Sequence, residues 1–447
     1  METRLPVSAL QAGLFISELD RPWLDTPFLI EGFLLETPEQ LALLQEYCQF
    51  VTIDIDRSTG GVARWGFLSE QKLNTQQPLI PHVQYQTVEI KEQITLLKEL
   101  RQCFALWSQS KNSSKTDTPY IEPQIIIYAD STPIKREIPQ ATAVHRLASD
   151  VIEAAMEAIS KDLQPRVEAI NDVVSNMVDS IIRNPSALLW LTQLKAADHY
   201  AYGHALDTAI YMLAFGRHLG YPQEDLHKLG FAGLMLDIGK MKLPESLLQH
   251  NGSYSPGEFL MMKTHVWHSL DILNQIKEVP LDVYDMVARH HERIDGSGYP
   301  LGLKGESIGL FSCMAGIVDC FTALTSDRNH AETKTSHVAL QLLYKWSDKY
   351  FHHALVEQFA QCIGVFPVGA LVELSTGDIG IVAGQNRSRR LKPKILLILG
   401  PDKLPHARPN LLDLMVNPVM NAGQEITIRK EWPQGSFNIN PQEYFQG

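Results

Sequence analysis

The first fifty residues alternate between short apolar runs and polar breaks. LFISEL (14–19), FLIEGFLL (28–35) and VTIDI (51–55) read as strands. Thr37-Pro38-Glu39 opens a helix over LALLQEYCQF, with Thr37 as cap and Pro38 in the first turn, where a missing N–H costs nothing. Asp20, Arg21, Trp23 and Asp25 form either a polar binding surface or a turn around a buried tryptophan, and the turn is the simpler account. Residues 57–90 keep no steady period, whereas Ile94, Leu97, Leu100, Phe104 and Trp107 recur at helical spacing and predict a helix over 92–109. NSSKTDTPYIEP (112–123) is a polar loop. A long helical region begins near 139, and Pro165 breaks it. Val167, Ile170, Val174, Met177, Val178 and Ile181 then make an apolar stripe that must pack on another domain or a second subunit, and a homodimer is expected from it.

From 186 onward the helical period dominates. Helices are predicted over 186–196, 201–219, 223–235, 256–275, 280–291, 311–324 and 332–347, interrupted by the glycine-rich loop DGSGYPLGLKGESI at 295–308. After Phe366 the pattern switches to short β-type runs divided by Thr-Gly-Asp and Gln-Asn-Arg turns. The fold class is mainly α, with a small mixed α/β amino-terminal module and a short β-rich carboxy-terminal appendage. The expected divisions are a regulatory module and following helix at 1–110, a linker at 111–138, a helical connector and helical domain at 139–365, the appendage at 366–430 and a loose tail at 431–447.

A length of 447 residues is enough for two or three domains with a substantial core. The formal charge of -12 argues against polymeric nucleic acid as a partner, but not against a small anion, because a bound metal can invert the local field. Cys48, Cys103, Cys313, Cys320 and Cys362 are scattered without a CxxC pair, which fits a reducing compartment. The opening METRLPVSALQAGLF lacks the pattern of a signal peptide. No apolar run reaches the roughly 18 residues that would mark a membrane span. A cytoplasmic location is expected.

The chemistry-bearing residues sit among the helices. His204 is early in one, Asp237 ends the next within LMLDIGK, His265 follows, His290 and His291 are adjacent, and Asp319 lies in GIVDCF. A single buried histidine is more often satisfied by one hydrogen bond than by a metal. Asp319 is harder to account for that way, since a carboxylate between Ile317-Val318 and Phe321 is costly in a core without a cation or strong donors. Together these groups offer imidazole nitrogens and carboxylate oxygens, a borderline set suited to iron, manganese or zinc. The two oxygens of Asp237 allow it to bridge two ions about 3.5–4 Å apart, a spacing that activates water against a phosphate. Lys240, three residues beyond, reaches the same cavity from one helical turn or else is a surface charge.

In order and spacing these residues resemble an HD-GYP domain, the specialised HD-superfamily hydrolase of bacterial cyclic-dinucleotide signalling. YGHALDTA carries His204, LDIGK (236–240) resembles the His-Asp-x-Gly-Lys motif, and MMKTHVWHS (261–269) resembles the next histidine element. HHERIDGSGYPLGLKGESI (290–308) is very close to the family signature, and Asp319 matches a late metal-binding aspartate. The segment before resembles the amino-terminal domain often attached to these enzymes. The resemblance implies metal-dependent hydrolysis of cyclic di-GMP to pGpG and on to GMP, with 3′,3′-cyclic GMP-AMP as an alternative substrate. It implies two divalent ions, iron or manganese and alternatively zinc, held by His204, Asp237, His265, His290, His291 and Asp319, with Asp237 and Lys240 catalytic.

Substrate binding is expected from the signature loop. Gly296 and Gly298 permit close backbone approach, Tyr299 stacks on or hydrogen-bonds to a guanine, Pro300 restrains the turn, and Arg293 and Asp295 organise the segment. Arg328, in TSDRNH, resembles an arginine placed near substrate phosphate, although Asn329, His330 and Ala331 depart from the usual continuation. Leu236 replaces a ligand histidine, for which His199, His227 or His268 could substitute, and Tyr200 stands where some members carry a glutamate for a third metal. These departures favour two ions over three. They also motivate an alternative, a degenerate cyclic-dinucleotide receptor or scaffold with weak or no hydrolysis.

Overall fold

The computed structural model describes residues 2–11, 13–20, 33–35, 38–54, 58, 125–193, 200–250, 252–326, 333–386, 392–416, 418–419, 426–433, 435–439 and 444. The chain divides into two compact units, Met1–Leu96 with Arg387–Leu391, and Leu97–Asn386 with Lys392–Gly447. The helix expected over 92–109, the loop at 112–123, Thr37, Arg21, Trp23 and Asp25 lie outside the described residues, as do His199 and Arg328.

In the first unit, β1 (Glu2–Pro6), β2 (Phe15–Leu19), β3 (Phe33–Leu34) and β4 (Phe50–Asp54) form an antiparallel sheet of order β1-β4-β2-β3, and α1 spans Pro38–Tyr47. Leu14, Ile16, Leu35, Leu44, Val51 and Ile53 make its core. β1 runs from Glu2↔Asp54 to Pro6↔Phe50 at the sheet edge, and it gave no apolar run to read because an edge strand buries little. The Asp20 carboxylate accepts from the Gln49 and Phe50 amides at 2.7 and 2.9 Å, so it ties the end of β2 to the start of β4 and serves the turn.

The second unit begins with a helical hairpin, α2 (Ile134–Ser160) and α3 (Val167–Arg183), with Pro165 in the connection. α2 starts five residues before the expected position and carries Pro139 inside it. Its first turn is tied down by Glu137, whose carboxylate, 1% exposed, accepts from Arg183 at 2.8 and 2.9 Å and from Ser180 Oγ at 2.8 Å. Most of the apolar stripe on α3 is consumed within the chain. Ile170, Val174, Met177, Val178 and Ile181 are at most 1% exposed, and α3 packs against α2 and α6. The expected homodimer therefore loses the surface that suggested it.

The expected helices are found as α4 (Pro185–Thr192), α5 (Tyr200–His218), α6 (Gln223–Met235), α8 (Pro256–Lys263), α9 (His265–Asn274), α10 (Leu281–Arg289), α11 (Leu310–Thr325) and α12 (Ser336–Trp346), and a 3-10 turn (Ile238–Lys242), α7 (Glu245–Leu248) and α13 (His353–Ile363) were not expected. The single helix expected over 256–275 is broken at Thr264. None of the described helices is long and apolar enough to cross a membrane.

β5 (Leu371–Leu374), β6 (Ile379–Gly384), β7 (Lys394–Leu399), β8 (Pro405–Asp413) and β9 (Ile428–Trp432) form an antiparallel sheet of order β8-β7-β6-β5-β9. The loose tail expected from 431 is thus corrected at its start, because β9 pairs with β5 through Trp432. On β9, Glu431 is 8% exposed and accepts from the Ser336 and His337 amides at 3.3 and 2.8 Å, so it caps α12 from another element.

Burial pushes the Glu431 carboxyl from 4.5 up to about 7. A raised folded-state value contributes stability below the unfolded value and loses it as pH climbs through the folded one. Between pH 4.5 and about 7 each unit removes on the order of 1 kcal/mol. In thermal melts at pH 5 and pH 8, Glu431→Gln should lose less stability over that span than the parent. Parallel losses in the two proteins would refute the assignment.

Candidate metal centre

Four elements meet around Asp237. α5 supplies His204 and α11 supplies Asp319, and the two helices are pinned by Thr208, whose hydroxyl donates to the His204 carbonyl at 2.7 Å and pairs with Thr322 Oγ1 at 3.1 Å. α6 ends at Met235, and Asp237 leaves helical geometry at φ -105, ψ 6 before the 3-10 turn. That turn lies directly on α9. The Gly239 amide donates to Ser269 Oγ at 2.8 Å, and Ser269 Oγ donates to the Leu236 carbonyl at 3.1 Å. A Cβ on Gly239 would stand 2.1 Å from the His265 carbonyl oxygen, so only glycine lets Asp237 come beside His265.

The six expected ligands converge. Asp237, His265, His290 and His291 place one ligand atom each within 4.8 Å of one another, and His204, Asp237 and Asp319 form a second such group. Asp237 belongs to both. Its Oδ1 is 3.2 Å from His265 Nε2 and 3.8 Å from His290 Nε2, while its Oδ2 is 3.3 Å from His204 Nε2. His204 Nε2 also lies 3.1 Å from Asp319 Oδ1, and His291 Nε2 is 3.2 Å from His265 Nε2.

Tautomers show what this arrangement requires. His265 Nδ1 faces the Met262 carbonyl at 2.7 Å and His290 Nδ1 faces the Val287 carbonyl at 2.8 Å. A carbonyl only accepts, so each neutral ring carries its proton on Nδ1 and turns an Nε2 lone pair toward the Asp237 carboxylate. Asp237 Oδ1 and His290 Nε2 are buried with no hydrogen-bond partner among the described residues. Lone pairs facing lone pairs in a buried space call for a cation, and the donor set fits a divalent metal.

Protonation follows the same electrostatics. Burial opposes the charge on Asp237, but the Lys240 ammonium and then the hydrogen bond with His204 hold its carboxyl well below the usual range. Burial likewise opposes the charge on Asp319, and its hydrogen bond with His204 pulls the carboxyl down. Burial, then the neighbouring His290, holds His291 neutral, the form that ligates metal. On His204 burial disfavours the charged ring, yet its hydrogen bonds to Asp237 and Asp319 raise it. A proton there satisfies the same oxygens that a cation would.

Of the expected substitutes for Leu236, the two that are described, His227 and His268, do not join the centre. Leu236 is 2% exposed, His227 Nε2 faces the Asn171 carbonyl at 3.4 Å, and His268 stands outside both ligand groups. Tyr200 lies at the start of α5, and its side chain is outside the described residues.

The signature loop folds against the ligands. Tyr299 stacks on the imidazole of His291 with centroids 4.6 Å apart and planes at 28°, and the Tyr299–Pro300 peptide is cis. Gly296 has φ +81, and a Cβ on Gly298 would lie 2.4 Å from the Arg293 amide and 2.5 Å from the His291 carbonyl. Asp295 Oδ1 accepts from the Ser297 amide at 2.8 Å. Arg293 turns its guanidinium onto the carbonyls of His290 (3.1 Å) and Glu292 (2.8 Å) and lies over the Phe351 ring, the organising role within the loop.

Sequence reasoning passed over Glu292, which is 3% exposed and accepts from the amides of Leu301 (2.6 Å), Gly302 (3.1 Å) and Leu303 (2.9 Å). Its signal was available, since a carboxylate between two ligand histidines and a glycine-rich loop has orphan amides in reach. Ser269 was also missed, and a serine on a ligand-bearing helix gives no comparable signal.

The fold and site are those of an HD-type metal centre. The HD domain family is matched over residues 177–355, and a domain of unknown function, DUF3391, over residues 2–170. Over 397 residues the chain is 30% identical to a cyclic di-GMP phosphodiesterase of Pseudomonas aeruginosa, covering 88% of this chain and 84% of that protein. It is 35% identical over 140 residues to the cyclic di-GMP phosphodiesterase response regulator RpfG of Xanthomonas campestris, covering 31% of this chain and 37% of the relative. It is 30% identical over 155 residues to a 3′3′-cGAMP-specific phosphodiesterase of Vibrio cholerae, covering 34% of this chain and 30% of the relative. The chain belongs to the HD-GYP phosphodiesterase family, with a DUF3391 domain before its HD domain.

Glu292→Ala would leave three loop amides without their charged acceptor, at a cost of about 2–4 kcal/mol. Urea denaturation should show that drop, with a smaller one for Glu292→Gln, which keeps one acceptor oxygen. A loss below about 0.5 kcal/mol for Glu292→Ala would mean that the loop holds itself.

Proposed function

We propose that this chain is a metal-dependent phosphodiesterase that opens cyclic di-GMP to linear pGpG and cleaves that product on to GMP. The observation that carries this reading is Asp237, which turns one oxygen to each of two ligand groups. Two divalent ions there, iron or manganese with zinc as the further candidate, would supply charge against the phosphate oxygens and lower the pKa of a water. Asp237 sets the spacing, because both groups share its carboxylate. Lys240 Nζ lies 2.5 Å from Asp237 Oδ2 and its side chain is 27% exposed, which supports a role in meeting a nonbridging phosphate oxygen at the edge of the centre. Tyr299, stacked on His291, borders one side of the centre. The activities of the relatives support cyclic di-GMP first and 3′,3′-cyclic GMP-AMP as a competing substrate. We place the enzyme in the cytoplasm, where such a messenger acts.

The two metal positions are unequal. His265, His290 and His291 with Asp237 offer four donors, while His204, Asp237 and Asp319 offer three, beside the buried Leu236. This inequality favours a second reading, a cyclic-dinucleotide receptor with little turnover. Protein loaded with iron, manganese or zinc should be given cyclic di-GMP and the products followed by chromatography. Metal-dependent pGpG and GMP are expected, and Asp237→Ala should cut turnover by roughly three orders of magnitude. Saturable binding without product would select the receptor, and neither binding nor product would end both readings.

Metal counting separates the two positions. Elemental analysis after dialysis should find close to one ion per parent chain, and Leu236→His should raise that toward two by adding a donor. Equal retention by both proteins would show that Leu236 does not limit the second position.

A further inference from the structure

Ions held on the shared Asp237 carboxylate would engage one phosphodiester. A cyclic dinucleotide carries a second one and two purine bases, and these must lie against whatever borders the centre. On the α8 side the border is a short column of side chains. Tyr299 stacks on His291, Lys263 Nζ stands 4.8 Å from the Tyr299 ring centroid and 4.6 Å from that of Phe259, and Phe259 meets Tyr299 edge-on at 6.3 Å and 80°. Lys263 is the last residue of α8, two before the ligand His265.

The last turn of α8 suits a cation at Lys263, but it does not call for placing that cation against two aromatic rings. Among the described residues no carboxylate pairs with Lys263; its close neighbours are two aromatic rings, which hold an ammonium in place without neutralising it. Phe259 is 45% exposed and is followed by Leu260 at 65% and Met261 at 47%, so burial does not account for a phenyl ring at this position. A fixed cation beside an open aromatic face matches a phosphate next to a planar base. Lys240 already stands at the centre itself, where the scissile group would lie.

We propose that Lys263 holds the second, uncleaved phosphate of the bound cyclic dinucleotide and that Phe259 stacks one of its bases, which makes this pair the specificity element of the site. The inference rests on the cyclic-dinucleotide reading given above. It divides the substrate between two cations, Lys240 at the reacting phosphodiester and Lys263 at the distal one. It also separates recognition of a cyclic dinucleotide from cleavage of a phosphodiester as such.

The test compares cyclic di-GMP with bis(p-nitrophenyl) phosphate, a diester that has neither a second phosphate nor a purine, using metal-loaded full-length protein. Lys263→Met and Phe259→Ala should each lose about tenfold in kcat/KM on cyclic di-GMP, mostly through KM, and less than twofold on the small diester. Phe259→Tyr should restore most of the loss. Raising the salt should weaken cyclic di-GMP turnover in the parent more than in Lys263→Met. Equal losses on both substrates would overturn the proposal, since Lys263 would then act through Tyr299 and His291, and no loss on either would overturn it as well. Parent protein that cleaves the small diester but neither cleaves nor binds cyclic di-GMP would sink the cyclic-dinucleotide reading itself. If the parent binds cyclic di-GMP without turnover, affinity replaces rate, and an unchanged Kd in both variants is the overturning result.

Discussion

Burying lone pairs against lone pairs is unfavourable, and around Asp237 the chain does so twice. Its Oδ1 faces imidazole nitrogens whose protons are committed to backbone carbonyls, and its Oδ2 faces His204, which is shared with a second buried carboxylate. Such a cluster is stable only with positive charge inside it, from protons, from Lys240 or from metal. The neighbouring helices are arranged to keep those atoms together: Gly239 lets one backbone touch another, Ser269 bridges the two chain segments, and the threonine pair pins α5 to α11.

The signature loop answers to the same centre. Glu292 sits between the ligand histidines and the loop and collects three of its amides, while Arg293 fastens the carbonyls of His290 and Glu292. The loop cannot shift without disturbing His290 and His291. Tyr299, stacked on His291, carries that rigidity to the border where Lys263 and Phe259 stand. Shape at the rim and charge at the centre are therefore mechanically continuous.

Much of this was legible in the sequence. The helices that carry the ligands were readable because each has an apolar period. The six expected ligands came from the resemblance of their motifs to the HD-GYP family, and Asp319 alone carried a physical signal of its own, because a carboxylate in an apolar helix is costly without a cation or strong donors beside it. What could not be read depends on which backbones touch. The break at Thr264 was not read, because the apolar residues of α8 continue the run although α8 buries none of them, whereas α9 buries Val266, Ile272 and Leu273. The stripe on α3 was correctly seen to need covering, by another domain or a second subunit, and sequence did not choose between them because it shows that a face needs covering and not what covers it. Glu431 was placed in a tail, although a single buried carboxylate there answers amides some ninety residues away.

The order of the second sheet has a consequence for how the protein is made. β9 is the last of the five strands to be synthesised, yet it lies beside β5, the first, and its carboxylate completes the opening turn of α12. On the ribosome α12 therefore has only its own Thr335 cap, and β5 keeps one edge open, until β9 emerges.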